Sequence, residues 1–367
     1  MEVTVIGIFG KTNAGKSTLA NELAGQQMSI VSPLAGTTTD PVRKRMEILG
    51  IGPCVLIDTA GLDDESPLGA QRIERTMAAA TQVDVALLVD HDHGRLCPGE
   101  ERLIALLSEL DVPLIHVSRD ADADRLAKRI ADAVRSSKTA ERSILDGLVR
   151  EGSKVMLVCP IDGEAPAGRL ILPQVMAIRD ILDRSGAALV VQPSQLENDP
   201  SLLSGISLVV TDSQVFGRVA AAVPQEIPLT SFSMLLARSK GNFAEYVKGV
   251  DAIGSLSDGD RVLIMESCSH TSSCEDIGRV KLPALLRRRT GRDLEIEFAG
   301  GWDEPSRPAE EYALVIQCGG CVATSRQLRG RLHRFIAAGV PVTNYGMALA
   351  WLNGIYKRAI RPLAPQR

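Results

Sequence analysis

The chain has no long hydrophobic run, no excess of basic charge and no even set of cysteines, and each absence removes a class of protein. Its apolar stretches reach about six residues, far short of the roughly 20 that a membrane span needs, so no membrane partner is expected. Lys and Arg number 41 against 45 Asp and Glu, a formal net charge of −4. That balance supplies no general attraction for nucleic acid, and none is expected as a partner. The basic patch 287-RRRTGR-292 follows an apolar helical stretch and reads as a solvated helix end. Seven cysteines, odd in number and unevenly clustered, do not make the disulfide framework of a secreted domain. The opening 2-EVTVIGIFG-10 alternates like a strand and carries neither the charged start nor the cleavage site of a signal peptide. The expectation is a cytoplasmic chain whose close cysteine pairs bind metal or do redox chemistry. No internal repeat or low-complexity tract is expected.

At 367 residues, with 45% hydrophobic and 23% charged residues, the chain is a globular protein too long for one ordinary core. Twelve β-rich runs are predicted: 2–9, 43–50, 53–58, 83–90, 113–118, 154–160, 187–192, 206–211, 228–231, 261–266, 293–298 and 312–317. Helical patterns lie between most of them, as in 173-PQVMAIRDILDRSG-186 with Pro at its start and Gly past its end. This alternation predicts an α/β fold with largely parallel sheets. The polar stretch 136–154 and the Gly/Ser/Asp-rich 248-KGVDAIGSLSDGD-260 suggest boundaries that divide the chain into 1–153, 154–250 and 251–367.

The stretch 10-GKTNAGKS-17 fits G-x-x-x-x-G-K-[ST], with a strand before it and the helical 17-STLANELAG-25 after it. Loop amides around Asn13, Ala14, Gly15 and Thr18 would cradle phosphates at the positive end of that helix. Lys16 would reach the β- and γ-phosphates and Ser17 would ligate Mg²⁺. Downstream, 53-PCVLIDTAG-61 ends in Asp-x-x-Gly: Asp58 would hold Mg²⁺ through water, and the Gly61 amide would sense the γ-phosphate. Between them, 36-GTTTD-40 lies in a loop long enough to order around that phosphate. In this order the three elements resemble the Era/TrmE-type GTPases. The resemblance places Thr38 at the Mg²⁺-binding switch threonine and makes Lys16, Thr38 and Gly61 the catalytic set. It implies K⁺ activation, with Asn13, Ser32, the Leu34 carbonyl and Thr37 as ligands. Leu62 stands where Ras-like enzymes carry a water-orienting glutamine, so slow intrinsic hydrolysis is expected. The Asn-Lys-x-Asp that reads guanine is replaced by 118-SRDAD-122, with Ala121 at the place of the base-reading aspartate; a one-residue shift would bring Asp120 or Asp122 there.

Two apolar runs end in sulfur: 261-RVLIMESCSHTSSC-274 and 312-YALVIQCGGCVATSR-326. If the strands are parallel neighbours, their C-terminal ends share one sheet edge, where α/β sheets place ligands. Cys268, His270, Cys318 and Cys321 could then converge, the two glycines letting the loop curl. Three thiolates suit an iron–sulfur cluster with one exchangeable iron or a Cys₃His zinc site, and softness does not choose between them. A GTPase segment of this type followed by C-x-H and a later C-x-x-C resembles the HydF family, the maturation GTPases of FeFe hydrogenases, over essentially the whole chain. That resemblance implies a P-loop GTPase domain followed by two further α/β domains, one for homodimerisation and one holding a 4Fe-4S cluster. It also implies a scaffold or carrier role for a two-iron precursor, with the radical-SAM maturases HydE and HydG and apo-hydrogenase as partners. Gln317 stands where the family's second histidine lies, and Cys274 is an extra thiol. A tRNA-modifying or ribosome-associated GTPase with structural zinc, and an interaction module without turnover, are the competing readings. Cys54, Cys159 and His116 are expected to be packed strand residues, and 90-DHDHGRLC-97 a solvent-facing loop.

Overall fold

The computed structural model describes residues 3–25, 31–34, 42–48, 51–64, 68–90, 95–118, 121–137, 143–161, 170–267, 277–301, 303–321 and 323–364. Two compact units result, residues 1–140 (with 329–331) and residues 141–367 without those three. In the first unit the strands are β1 (Thr4–Phe9), β2 (Val31–Leu34), β3 (Val42–Ile48), β4 (Gly52–Asp58), β5 (Val85–Asp90) and β6 (Leu114–Ser118). They form one sheet in the order β2-β3-β4-β1-β5-β6. β1, β4, β5 and β6 are parallel, and β2 and β3 run antiparallel beside β4. The TVIGIF of β1, apolar after Thr4, is buried at every residue, as a central strand covered on both faces must be. The mixed VRKRMEI of β3 keeps charge on an exposed face.

The second unit holds two four-stranded sheets. One contains β7 (Lys154–Val158), β8 (Ala187–Val191), β9 (Leu208–Thr211) and β10 (Leu229–Ser231) in the order β10-β9-β7-β8. The other contains β11 (Arg261–Met265), β12 (Glu295–Ala299), β13 (Leu314–Gln317) and β14 (Val342–Asn344) in the order β12-β11-β13-β14. Every pairing in both is parallel. All twelve predicted runs are strands; β2 and β14, of four and three residues, were too short to show a pattern. One continuous apolar core, from Ile144 to Leu363, serves both sheets.

Contrary to the sequence expectation, these sheets are a repeat. Each places its first strand between its second and third, with the fourth outermost. The registers correspond: Val155 pairs with Leu208 as Val262 pairs with Leu314, and Leu229 with Val209 as Val342 with Val315. Closing bonds correspond too, Cys159 N donating to Val191 O as Glu266 N donates to Ala299 O. Only the last strand and helix keep a visible likeness, 227-IPLTSFSMLLARSKG-241 against 340-VPVTNYGMALAWLNG-354. Elsewhere volume-conserving apolar exchanges preserve the packing and erase the identity.

Candidate functional site

In the first unit, residues 10–17 turn from β1 into the helix Lys16–Gly25. The turn requires left-handed backbone at Asn13 (φ 61°) and Gly15 (φ 99°), and Asn tolerates that region better than most side chains. Lys16 folds over the loop, donating to the Gly10 carbonyl at 3.1 Å and the Lys11 carbonyl at 2.6 Å. Burial lowers its pKa, against the opposing pull of Asp58, Asp63 and Glu100. Ser17 Oγ donates to Asp58 Oδ2 at 2.6 Å, joining two of the three predicted Mg²⁺ residues. Asp58 Oδ1 is buried with no hydrogen-bond partner among the described residues. An orphaned buried carboxylate oxygen is costly unless a donor or cation takes it, so this pair fits a Mg²⁺ ion with its water.

Gly61 lies against the same loop. A Cβ there would press into the Thr12 hydroxyl and stand 2.8 Å from the Thr12 nitrogen, so only glycine lets Asp-x-x-Gly approach this closely. Asp63, which no motif singles out, accepts from Thr12 N at 2.6 Å. Burial acts to raise the Asp63 pKa, but the bonds from Thr12 and the charge of Lys16 outweigh it and leave the pKa lowered. Leu62 is 2% exposed and packs in the core, so it cannot orient water over the phosphates. Ala14 is fully buried under the loop and Thr18 is exposed on the helix.

At the base-reading position, Ala121 N donates to Ser118 O and the methyl packs on the core. Asp122 accepts from Arg125 N at 2.8 Å, capping the helix Ala123–Ser137. That carboxylate is committed to the helix end, while Arg119 and Asp120 lie outside the described residues. Thr37 and Thr38 also lie outside them, as do His91 and His93 of the 90–97 loop; Ser32 and Leu34 fall on β2. His116 is exposed on β6, contrary to the expectation of a packed residue, because β6 is an edge strand. Cys54 and Cys159 are buried as expected, and burial pushes both thiols up to about 12.

In the second unit, β11 and β13 are parallel neighbours with Met265 opposite Gln317, so both sulfur segments leave the same sheet edge. Ser267 N donates to Cys318 Sγ at 3.0 Å, and Cys318 Sγ lies 3.1 Å from Ser267 Oγ. Cys318 N in turn donates to Met265 O. Cys318 and Cys321 are half-buried and in no disulfide, and Gly320 (φ 60°) turns the loop between them. Cys268, His270 and Cys274 lie outside the described residues; Cys268 follows Ser267 directly in the chain. Two thiols on one loop outside any disulfide, one receiving a backbone N–H bond, are a donor set that fits a soft metal or an iron–sulfur cluster. Among the described residues no group of three or more His, Cys, Asp and Glu side chains converges for a metal. Gln317 is not part of the donor set. It is fully buried, its Oε1 accepts from the Tyr246 hydroxyl, and its Nε2 donates to Leu328 O at 3.1 Å. Among the described residues no helix is long and apolar enough to cross a membrane.

Residues 5–119 match the family model for the 50S ribosome-binding GTPase, so the first unit is a GTPase domain. The chain is 46% identical over 118 residues to the tRNA modification GTPase MnmE of Nitrosomonas europaea, covering 32% of this chain and 26% of that protein. It is 37% identical over 125 residues to the GTPase Der of Campylobacter concisus, covering 33% and 26%. The chain thus spans about a quarter of the length of these curated relatives. A solved structure of an Aquifex aeolicus Era variant bound to GDP.AlF4- aligns over 82% of this chain and 93% of that one, with 19% identity and a TM-score of 0.26. Beyond the GTPase domain, residues 144–241 match the hydrogen maturase F dimerization domain and residues 244–362 the hydrogen maturase F tetramerization domain. Those two matches span more than half of the 367 residues, and the chain belongs to the hydrogen maturase F family.

Proposed function

We propose that this chain is a GTP-hydrolysing scaffold that carries a two-iron precursor of the FeFe-hydrogenase active centre to the apo-enzyme. On this reading Cys268, Cys318 and Cys321 hold a 4Fe-4S cluster, with His270 the candidate at the fourth iron, and HydE and HydG build the precursor. The observation that carries the reading is the bond from Ser267 to Cys318 Sγ, which ties the residue before Cys268 to the Cys-Gly-Gly-Cys loop. The Ser267 N–H would offset thiolate charge, and half-burial would restrict solvent at the sulfur.

In the GTPase domain, Lys16 would neutralise β- and γ-phosphate charge as bonds to the leaving phosphate stretch. Ser17 and Asp58 would hold Mg²⁺, Gly61 would donate its amide to the γ-phosphate, and Thr38 would close over it. Mg²⁺ supplies charge neutralisation between those phosphates, and K⁺ beside Asn13, Ser32, Leu34 and Thr37 would supply more. Hydrolysis is read as regulatory, relaxing the 36–40 segment and altering contacts with partners. The chain is read as cytoplasmic and as three domains, 1–153, 154–250 and 251–367.

Homodimerisation is supported by an exposed apolar stripe, Leu172, Val175 and Leu182, on the helix Leu172–Asp183 within the dimerization match. Val190 on the edge strand β8 is also 41% exposed. Anaerobic reconstitution with iron and sulfide, followed by electron paramagnetic resonance and metal counting, tests the central claim. A 4Fe-4S signal that is lost on replacing any of the three cysteines is expected. Zinc bound in place of iron, or an unchanged signal in the Cys268 variant, would refute it.

A further inference from the structure

The repeat within residues 141–367 contains its own control for the sulfur site. In each half the fourth strand leads directly into a helix, Phe232–Lys240 in the first and Tyr345–Leu352 in the second. Each of these elements runs beneath the loop that follows the third strand of the other half. The first helix meets the sulfur loop along one face: Ser233 and Leu236 lie 3.4 and 3.5 Å from where a Cβ of Gly319 would stand. One turn further on, Lys240 Nζ donates to the Ala323 carbonyl at 3.3 Å. The spacing of three and four residues is that of a single helical stripe. In the reciprocal contact, Asn353 Oδ1 lies 3.6 Å from where a Cβ of Gly217 would stand.

These contacts correspond residue for residue. Aligning the last helices places Lys240 opposite Asn353, and aligning β9 with β13 places Gly217 opposite Ala323. They differ in charge. The segment after β9, 212-DSQVFG-217, has no thiol and meets a neutral amide from this helix end; the segment after β13, 318-CGGCVA-323, has two thiols and meets an ammonium there. Lys240 is 4% exposed, and a buried lysine carries a desolvation cost that a solvated one does not. A buried cation has been placed at that cost under the loop whose thiolates become anionic on binding metal; the ammonium that meets its twin, Lys281 on Gln214 Oε1 at 2.9 Å, is only half-buried.

We propose that Lys240 is a positioning residue for the sulfur site, an electrostatic counter-charge that sets the reduction equilibrium of the bound cluster and favours its retention. The proposal rests on the iron–sulfur reading above. Net charge and nearby dipoles are among the levers that set cluster potentials. A fixed positive charge favours the reduced, more negative cluster, so removing it shifts the equilibrium toward the oxidised form.

The test is a redox titration, followed by electron paramagnetic resonance, of the reconstituted full-length chain and its Lys240→Met, Lys240→Gln, Lys240→Arg and Asn353→Lys variants. Met and Gln are expected to shift the equilibrium toward the oxidised cluster by about tenfold, which is about 59 mV for one electron. Arg, which keeps the charge, and Asn353→Lys, which adds one beneath the thiol-free loop, should titrate with the unmodified chain. Gln retains a donor for the Ala323 carbonyl, so a Gln variant that titrates with the unmodified chain overturns the proposal, even if Met destabilises the fold. Loss of iron from Met and Gln but not Arg, with the metal-free chains melting alike, also supports it. If the unmodified chain takes up no iron and sulfide, the iron–sulfur reading fails and takes this one with it. If it holds the cluster and all variants titrate together, only Lys240 is wrong.

Discussion

The phosphate loop and the sulfur loop both gather charged or soft groups at the end of a parallel strand, by different routes. Residues 10–17 bring ammonium, hydroxyl and amides from one continuous turn, and Asp58 and Gly61 arrive from the end of the neighbouring strand β4 and the turn after it. The sulfur site joins segments 51 residues apart at their point of contact, Ser267 and Cys318, and depends on β11 and β13 keeping register. A one-residue slip of β13 would send Cys318 to the opposite face and return Gln317 to the edge. The contiguous site carries its geometry in its spacing; the divided one carries it in the sheet.

The largest expected effect separates the two directly. Lys16→Ala should lower GTP turnover about a thousandfold, since it removes the cation proposed to neutralise the phosphates, while iron and sulfide content stay unchanged. Phosphate release and metal counting on the same sample decide it. In the opposite direction, Cys318→Ala should cost at least about tenfold in iron retention and leave turnover within roughly twofold. Parallel loss of both activities in either variant would mean the two sites are not independent.

Base recognition provides a further test of the local site. Ala121→Asp restores the carboxylate that guanine would engage, and the preference for GTP over ATP should rise about tenfold, measured as a ratio of kcat/KM. The glycines of the two loops should differ in kind. Gly61→Ala forces Thr12 to move and should destabilise the first unit by about 1–3 kcal/mol in urea. Gly319→Ala meets nothing nearer than 3.4 Å and should be nearly neutral. The smallest effect is on acid stability. Asp63 has its pKa held below the ordinary 3.8, so its contribution is complete above that value and is lost as pH falls through the lower folded one. Asp63→Asn should flatten that part of the stability curve, followed by urea midpoints across acid pH.

Much of this arrangement is legible without coordinates. Gly10, Gly15, Lys16 and Ser17 can be read because phosphate binding needs amides, a cation and a hydroxyl within one turn. The apolar strands can be read because a doubly covered strand tolerates nothing else. Asp63 cannot be, because its partner Thr12 is distant in sequence and no spacing rule links them. Gln317 reads as a missing ligand, yet its side chain is engaged by Tyr246 and Leu328 in the core. The repeat was also hidden, since its two copies agree in strand order and register more than in residue identity.

The amino-acid order by itself determined the P-loop, the alternation of strands and helices, and the presence of a Cys-Gly-Gly-Cys turn, because each depends on neighbours a few residues apart. Tertiary structure decided that Ser267 meets Cys318, that Asp58 Oδ1 is buried with no partner among the described residues, and that Lys240 and not its counterpart Asn353 underlies the thiol-bearing loop. Those outcomes follow from strand register and from helices crossing between the two copies, and neither leaves a periodic trace in the chain.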